Sequence, residues 1–259
     1  MLLRQFAVLL LSVATCFGPF NTAAQKKKDI QFYQIKVYHC KSNEQIALTD
    51  QFLQTDYLPA LHQSGLNSIG VYKPIDNDTS ADKRIFIFIP LQSLEQIISL
   101  DETTAGKTKL TTYADAVYND PPYQRIETIV LKAFKNMKHF KQPSLTGVKQ
   151  ERVYELRSYE GATEKLYRKK VEMFNEGGEI GIFSRLNFNA VFYSEVIAGS
   201  HMPNLMYMTC FNSIKDREEH WKAFKDDAEW KRLSGLPEYQ HTVSKSDIIL
   251  MHPTEYSEL

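Results

Sequence analysis

Two segments of this chain, far apart in sequence, carry nearly the same pattern. Residues 33–38 read YQIKVY and residues 154–159 read YELRSY, so aromatic, aliphatic, basic and aromatic residues occupy matching positions. Three further pairs of segments match in the same order: 66–72 with 186–192, 91–94 with 211–214, and 121–124 with 237–240. Such self-similarity is typical of a duplicated structural unit, and the chain is predicted to contain two copies of a unit of roughly 115 residues.

The first copy covers residues 29–140 and reads as strand, helix, strand, strand, helix, strand. Ser42 and Ser93 are each followed three residues later by glutamine, a capping-box pattern that predicts the start of a helix. We expect Pro59 to kink the first of these helices and Gly65 to end it. The predicted strands are residues 30–39, 66–72, 85–89 and 125–134.

The second copy covers residues 151–252 and repeats this order. Its first helix is predicted to break at Gly177 and Gly178, because glycine is a poor helix former. Its second helix is predicted to begin at Ser213, which is aligned with the capping serine of the first copy, and to present one apolar stripe. The predicted strands are residues 153–159, 187–196, 205–211 and 241–251.

This order of elements is that of the ferredoxin-like unit, which carries both of its helices on one face of its sheet. The other sheet face needs a cover if it is not fully polar, and a second copy in the same chain can supply one. The sequence therefore predicts an α+β fold in which two tandem ferredoxin-like (βαββαβ) repeats pack sheet to sheet as a single-chain α/β barrel.

The first residues are predicted to be a signal peptide rather than part of the fold. Residues 1–4 form a short, positively charged segment that contains Arg4. A mostly apolar stretch follows at residues 5–17, and small residues follow at 22–24. This stretch is too short for a convincing membrane span. We therefore assign residues 1–24 to a cleaved signal peptide and predict a periplasmic or secreted protein without a membrane span. Lipid attachment at Cys16 is the less favoured alternative.

Composition narrows the classes of partner. Two cysteines, Cys40 and Cys210, remain after such a cleavage, which is too few for a disulfide scaffold. Two separate thiols are favoured, although the pair could also form a disulfide bond.

The charges of the 31 basic and 31 acidic residues cancel. Binding to a nucleic-acid backbone requires a surplus of positive charge, so the neutral balance argues against a nucleic-acid partner.

Strand alternation suggests which side chains share a face. In the first strand of the second copy, Tyr154 and Leu156 lie on one side, and Glu155, Arg157 and Tyr159 lie on the other. We expect the more apolar side to lie under the helices and the polar side to face the space between the two sheets. The alternative is an internal network in which Arg157 pairs with Glu155 or another acid.

The same alternation extends this set to other strands. It places Phe188, Ala190 and Phe192 under the helices, and Tyr193 in the space between the sheets. A half-enclosed space with basic, phenolic and amide groups is suited to a small anionic or aromatic ligand. The predicted ligand-binding residues are Glu155, Arg157, Tyr159, Lys36, Tyr38, Asn187, Asn189 and His241, the last at a barrel mouth.

Motifs for metals, cofactors and nucleophiles are absent from the sequence. The seven histidines form no HExxH motif and no cysteine–histidine cluster with metal-ligand spacing, so we predict no metal site. The glycines near residue 177 lack the preceding strand that a dinucleotide site requires. There is no GxSxG motif. No cofactor is therefore predicted. The alternative is that one of the histidines is a haem ligand. Catalytic residues stay unassigned.

The second copy resembles the NIPSNAP family. The resemblance rests on residues 153–159 (VYELRSY) and 220–230 (HWKAFKDDAEW). It implies a ferredoxin-like domain of the dimeric α/β-barrel group, whose members include cofactor-free monooxygenases, dehydratases and haem enzymes. The NIPSNAP branch is known mainly for protein associations and has no agreed catalytic residues. The first copy has Lys36 where Arg157 stands and no tryptophan on its second helix, so a site is expected nearer the second copy.

These observations predict an exported NIPSNAP-like protein that binds a small ligand between the two sheets or a protein partner. The alternative is a cofactor-independent enzyme, monooxygenase- or isomerase-like, that acts on a small aromatic or sugar-like compound. In that case Arg157 would stabilise an anion, and Tyr159 or His241 would move a proton. A third reading is a structural interaction module with a solid interior. Assembly into a homo-oligomer stays open.

Overall fold

The chain runs through two successive sets of four strands. The computed structural model describes residues 30–104 and 108–259, so the predicted signal peptide lies outside the described residues. The first set is β1 (Phe32–Cys40), β2 (Gly70–Pro74), β3 (Lys83–Leu91) and β4 (Arg125–Ala133). The second set is β5 (Val153–Glu160), β6 (Ala190–Ala198), β7 (Asn204–Phe211) and β8 (Lys245–Pro253).

These eight strands close into one antiparallel barrel in the order β1-β3-β2-β8-β5-β7-β6-β4. Two seams join the sets: β2 pairs with β8, where Tyr72 lies opposite Pro253, and β4 pairs with β6, where Leu131 lies opposite Val196. The sheets therefore meet edge to edge as well as face to face. Closure gives every strand two neighbours, which leaves the barrel without the unpaired edges that invite aggregation.

The helices of the first half are α1 (Asn43–Phe52), α2 (Leu58–Gln63), α3 (Glu95–Thr104) and α4 (Thr111–Ala114). The predicted cap is confirmed, since the Ser42 hydroxyl accepts a hydrogen bond from the Gln45 amide at 3.3 Å. A π-helical turn at Leu53–Tyr57 precedes Pro59, at the place where the sequence predicts a kink. Gly65 ends the second helix with a left-handed φ of +77°, a conformation that glycine adopts without strain.

The helices of the second half are α5 (Glu164–Asn175), α6 (Glu179–Arg185), α7 (Ile214–Asp226) and α8 (Ala228–Ser234). The predicted break falls between α5 and α6, where Gly178 has a φ of 88°. The predicted start of α7 is also confirmed, because the Ser213 hydroxyl accepts from the Asp216 amide at 3.2 Å. No described helix is both long and apolar enough to cross a membrane.

The barrel interior is packed with side chains from both halves. Phe88 of β3 stacks on Phe192 of β6 with ring centroids 4.9 Å apart, and Tyr33 of β1 lies 5.2 and 5.3 Å from these two rings. Tyr72 and Tyr154 meet across the β2–β8 side with centroids 4.6 Å apart. All five rings are almost completely buried. Two further cores lie between the barrel and the helices of each half, and we call these the first and second helix layers.

The predicted assignment of strand faces is wrong. Tyr154 and Leu156 belong to the barrel interior, whereas Arg157 and Tyr159 contact residues of the second helix layer. The reason is that the interior is enclosed on all sides by strands and takes the apolar face. The polar face is placed against helices, whose side chains supply hydrogen-bond donors and acceptors for it. Buried polar groups require such partners.

The prediction for β6 fails at a different point. Phe188 lies in the second helix layer as expected, but Phe192 lies in the barrel interior and Tyr193 in the helix layer. The register of β6 against β7 shifts between Ala190 and Phe192. An irregularity of this kind adds a residue to one strand and reverses the alternation that follows it.

Cys40 and Cys210 are both free and buried, which confirms the favoured interpretation of separate thiols. Cys40 lies in the first helix layer and Cys210 in the barrel interior. Burial raises the pKa of Cys40 to about 11. Such thiols are protonated near neutral pH and act as small apolar groups in the core.

Candidate functional site

A buried carboxylate organises the second helix layer. Glu155 lies in the middle of β5 with 0% of its surface exposed. It accepts hydrogen bonds from Arg157 Nε at 2.5 Å, from Arg217 Nε at 2.7 Å and from Trp221 Nε1 at 2.7 Å. Residues two apart on a strand share a face, as Glu155 and Arg157 do. Residues four apart on a helix also share a face, as Arg217 and Trp221 do.

Arg157 extends this network along the strand. Its guanidinium lies 3.7 Å from the centroid of the Trp221 ring, and it donates to the Tyr159 hydroxyl at 2.9 Å. The Tyr159 and Tyr207 hydroxyls are in turn 2.9 Å apart. Burial acts to lower the pKa of Arg157, but the oxygens of Tyr207, Tyr159 and Glu155 together raise it above its ordinary value. The guanidinium therefore stays charged.

A second buried ion pair lies in the same layer. Lys170 Nζ donates to Glu179 Oε2 at 2.8 Å, and both side chains are buried. The Lys170 ammonium also lies 4.8 Å from the centroid of the Phe174 ring. Burial raises the pKa of Glu179, and Lys170 and Arg157 oppose that rise. The three charged groups around Glu155 and the two of this pair form what we call the buried charge network: Glu155, Arg157, Arg217, Lys170 and Glu179.

This arrangement corresponds to the internal network that the sequence offered as the alternative for Arg157. It lies under the helices rather than between the sheets. Its members bind one another, and a buried ion pair of this kind stabilises the fold only when every charge keeps its partners. A role for Glu155, Arg157 and Tyr159 in ligand binding stays a prediction.

The predicted site residues of the first half, Lys36 and Tyr38, lie in the first helix layer. Lys36 lies over the Tyr57 ring, with its ammonium 5.3 Å from the centroid, and Tyr38 belongs to the same layer. Gln34 stands where the second copy has Glu155, and its side-chain oxygen has no hydrogen-bond partner among the described residues. The predicted site residues on β1 and β5 therefore lie in two separate helix layers.

A cleft of about 500 Å³ opens beside the second helix layer. It lies between the linker that follows β4 and the segment from α6 to β6, and we call it the linker cleft. The linker is held there by backbone hydrogen bonds to β6, from Phe134 N to Tyr193 O and from Lys141 N to Val191 O, each 2.9 Å long. The buried rings among its lining residues are Phe183, Phe188 and Tyr193.

Two predicted site residues line this cleft. Asn187 and Asn189 flank Phe188 with left-handed φ values of 57° and 42°, a conformation that asparagine adopts more readily than most residues. This backbone turns the Phe188 ring into the helix layer and leaves both amides at the cleft. His241 is not among the lining residues; it lies in an exposed turn before β8.

Tyr193 joins the cleft to the buried charge network. It lines the cleft, only 1% of its surface is exposed, and its hydroxyl has no hydrogen-bond partner among the described residues. Burial raises the pKa of Tyr193 well above its ordinary value, and the charge of Glu179 raises it further. The phenol is therefore neutral, and its hydroxyl is shielded from solvent.

Sequence reasoning missed several of these residues. Arg217 stands one helical turn before Trp221, a spacing that indicates a shared face but not that it meets β5. Lys170 and Glu179 lie on either side of the glycine break, and no local pattern pairs them. Lys141 lies in a linker without periodicity, so only the tertiary structure shows that it reaches the cleft.

One group of metal-ligand residue types comes together in the part of the chain that the structure describes. Donor atoms of Glu160, His201 and Asp247 lie within 4.8 Å of one another. Lys245 Nζ already lies 3.5 Å from Glu160 and 3.5 Å from Asp247. Because the lysine supplies the positive charge at this exposed position, we interpret the group as solvated ion pairs and assign no metal to it.

The second half of the chain matches a known family. Residues 154–258 match the family model described as NIPSNAP. A NIPSNAP family protein from Agrobacterium tumefaciens str. C58 is 20% identical and has a TM-score of 0.38, over 45% of this chain and 98% of that chain. No curated protein matches the chain.

Two solved structures are similar over most of the chain, and each is described as a "putative monooxygenase". The protein from Fusobacterium nucleatum subsp. nucleatum is 6% identical with a TM-score of 0.58, over 86% of this chain and 92% of that chain. The protein from Lactobacillus acidophilus NCFM is 10% identical with a TM-score of 0.52, over 86% of this chain and 94% of that chain. At these identities the likeness shows the fold alone: a mixed α/β fold with a closed antiparallel barrel.

Proposed function

We propose that this protein, whose residues 154–258 match the NIPSNAP family model and share one barrel with the first half of the chain, binds a small organic molecule in the linker cleft. The observation that carries the proposal is the cleft itself. It has a volume of about 500 Å³ and is lined by apolar side chains such as Met137 and Ile180 and by uncharged polar side chains such as Asn187 and Asn189. Concave sites with an apolar floor and a few polar groups are typical of small-molecule sites.

This location replaces the predicted one between the two sheets. The barrel interior is occupied by stacked rings from both halves, among them Tyr33, Phe88 and Phe192. A ligand there would have to displace packed side chains, and removing a large side chain from a core costs several kcal/mol. The linker cleft requires no such displacement.

Binding is favoured over catalysis. The charged groups of the second helix layer pair with one another. No residue of the buried charge network lines the cleft. General acid–base catalysis needs a titratable group within hydrogen-bond reach of the substrate. The lining residues supply only Lys141 and Tyr193 for that purpose. A cofactor-independent enzyme therefore stays the second candidate, supported by the similarity in fold to the two bacterial proteins described above.

Gly181 offers a direct test. It lies in α6 and lines the cleft, and a Cβ added to it would meet no atom within 4 Å. In Gly181→Phe the new ring would occupy the cleft, so we expect ligands found by thermal-shift screening to bind at least about tenfold more weakly. Gly181→Ala is the matched control. It should bind these ligands normally and gain about 0.5–1 kcal/mol, since alanine is the better helix former. Equal shifts in all three proteins would contradict the proposal.

The two halves are further proposed to be copies of one ferredoxin-like unit, residues 29–140 and 151–252. The strand order β4-β1-β3-β2 in the first half and β8-β5-β7-β6 in the second supports this, since both place corresponding strands in the same positions.

Residues 1–24 are proposed to be a signal peptide that directs the protein to the periplasm or outside the cell. We expect the protein isolated from its own cells to begin near residue 25, as N-terminal sequencing would show; an N-terminus at Met1 would contradict export by cleavage.

A further inference from the structure

The buried charge network contains more positive than negative charge. Its three cations are Arg157, Arg217 and Lys170, and its two carboxylates are Glu155 and Glu179. Lys170 and Glu179 pair with each other, which leaves one carboxylate, Glu155, for two arginines. Neither arginine has a second acidic partner among the described residues. Charges held away from water are unfavourable unless they are paired, and here one positive charge is in excess.

Each of the two arginines also keeps one nitrogen without an acceptor. Arg217 donates to Glu155 through Nε and Nη2, at 2.7 and 3.1 Å, and its Nη1 has no acceptor among the described residues. Arg157 donates through Nε to Glu155 and through Nη1 to Tyr159, and its Nη2 is likewise without an acceptor there. Neither nitrogen belongs to the unpartnered atoms that are fully buried, so both are open to solvent. The side chain is 12% exposed in Arg157 and 19% exposed in Arg217.

The two free nitrogens belong to guanidinium groups that lie side by side. Arg157 Nε and Arg217 Nη2 both donate to the same oxygen, Glu155 Oε1, at 2.5 and 3.1 Å. The Arg157 guanidinium is also held over the Trp221 ring, 3.7 Å from its centroid, and Trp221 itself donates to Glu155. Guanidinium groups fixed in this way offer donors that suit the two oxygens of a carboxylate.

The surface beside Arg157 is apolar and open. On β8, the residue opposite Arg157 is Ile248 and the residue opposite Glu155 is Leu250. Residues opposite each other in an antiparallel pair share a face of the sheet, so both lie on the helix side. Ile248 is 45% exposed and Leu250 is partly buried, which shows that the helices leave this part of β8 uncovered. An anion at the arginines therefore has an apolar surface next to it.

From these observations we infer that Arg157 and Arg217 form an anion-binding site, separate from the linker cleft, that takes small aliphatic carboxylates. The carboxylate accepts from the two free guanidinium nitrogens, and the aliphatic chain lies along Ile248. A single negative charge matches the one excess positive charge, whereas a phosphate dianion would leave a negative charge in excess. Lys36 and Ile97 stand at the corresponding positions of the first half, so the inference concerns the second half alone.

Binding can be followed at one residue, because Trp221 donates to Glu155 and the chain has only one other tryptophan, Trp230. By nuclear magnetic resonance of isotope-labelled protein, we expect sodium hexanoate to shift the indole N–H signal of Trp221 to saturation. Equal concentrations of hexanol or inorganic phosphate should shift it little. Arg217→Gln removes the excess charge and one free nitrogen, so hexanoate should bind at least about fivefold more weakly. Arg232→Gln, which removes an exposed arginine of α8, is the matched control and should bind normally.

A second pair of variants supplies the anion from the protein itself. In Ile248→Glu the new carboxylate stands opposite Arg157, and in Ile248→Gln a side chain of similar shape carries no charge. We expect the glutamate variant to melt about 1–4 °C above the glutamine variant, because opposite charges attract across a strand pair. It should also no longer bind hexanoate. These variants change a half-exposed position, so they test the site even if Arg217→Gln does not fold.

Several outcomes would overturn the inference. A Trp221 signal that hexanoate does not move, or an equal loss of binding in Arg217→Gln and Arg232→Gln, rules out the site. A larger shift with phosphate than with hexanoate rules out the ligand class. Equal melting temperatures of Ile248→Glu and Ile248→Gln show that the network needs no further anion. Gly181→Phe fills the linker cleft and should leave the hexanoate shift unchanged, so the proposed function is tested separately; if this variant removed the shift, hexanoate would bind in the cleft instead.

Discussion

Replacing Glu155 by alanine is expected to lower the free energy of unfolding by about 3–5 kcal/mol. The reason is that Glu155 is fully buried and accepts from Arg157, Arg217 and Trp221, which would all lose this carboxylate as a partner. Two uncompensated cationic groups would then stay in a layer that is largely shielded from water. Urea unfolding followed by tryptophan fluorescence and by circular dichroism would measure the loss.

Two variants calibrate this result. Arg157→Met should lose less, about 1.5–3 kcal/mol, because Glu155 keeps its bonds from Arg217 and Trp221. Glu229→Ala removes an exposed carboxylate that lies 3.5 Å from Arg185, and should change stability by less than about 1 kcal/mol. If Arg157→Met abolished ligand binding without lowering stability, Arg157 would be a site residue rather than a structural one.

Replacing Phe88 by alanine is expected to cost about 3–5 kcal/mol, the usual cost of emptying a well-packed aromatic position. Phe88 is 1% exposed and contacts Phe192 and Tyr33 from strands of both halves. The cavity would lie at the centre of the barrel, where closure of the strands limits relaxation. Chemical denaturation gives the loss, and an unchanged m-value would show that both halves still unfold together.

The matched control is Phe88→Leu, which keeps most of the volume and should cost less than about 1.5 kcal/mol. The comparison also decides whether the barrel holds a ligand. An interior cavity with room for a small molecule would already lack contacts around Phe88, so the alanine variant would then lose little. Losses below about 1 kcal/mol for both variants would therefore contradict a solid interior.

Much of the fold could be predicted because its signals are local. Ser42 and Ser213 cap helices as their spacing indicates, and the helix break falls at Gly178. The prediction that the two halves share one barrel is confirmed. Boundaries without a capping signal were less accurate: β8 begins at Lys245 rather than His241.

The site was harder to predict because strand alternation gives two faces without saying which is inside. The polarity of Arg157 and Tyr159 suggested that they face a solvent-filled space between the sheets. They lie instead in the second helix layer, where they have partners. The asparagines at 187 and 189, which were grouped with the candidate residues, line a cleft. Whether any of these groups binds a ligand depends on tertiary contacts that no short pattern encodes.

The seam between β2 and β8 has a consequence for biosynthesis. β8 is the last strand of the described chain, so the barrel closes only after the strands of both halves have been made. Until then the emerging first half presents a row of unpaired backbone groups at β2 and an uncovered apolar surface around Phe88. Contacts between distant parts of a chain slow folding and prolong the exposure of apolar surfaces and unpaired strand edges. Newly made molecules are therefore prone to aggregation until β8 has paired with β2.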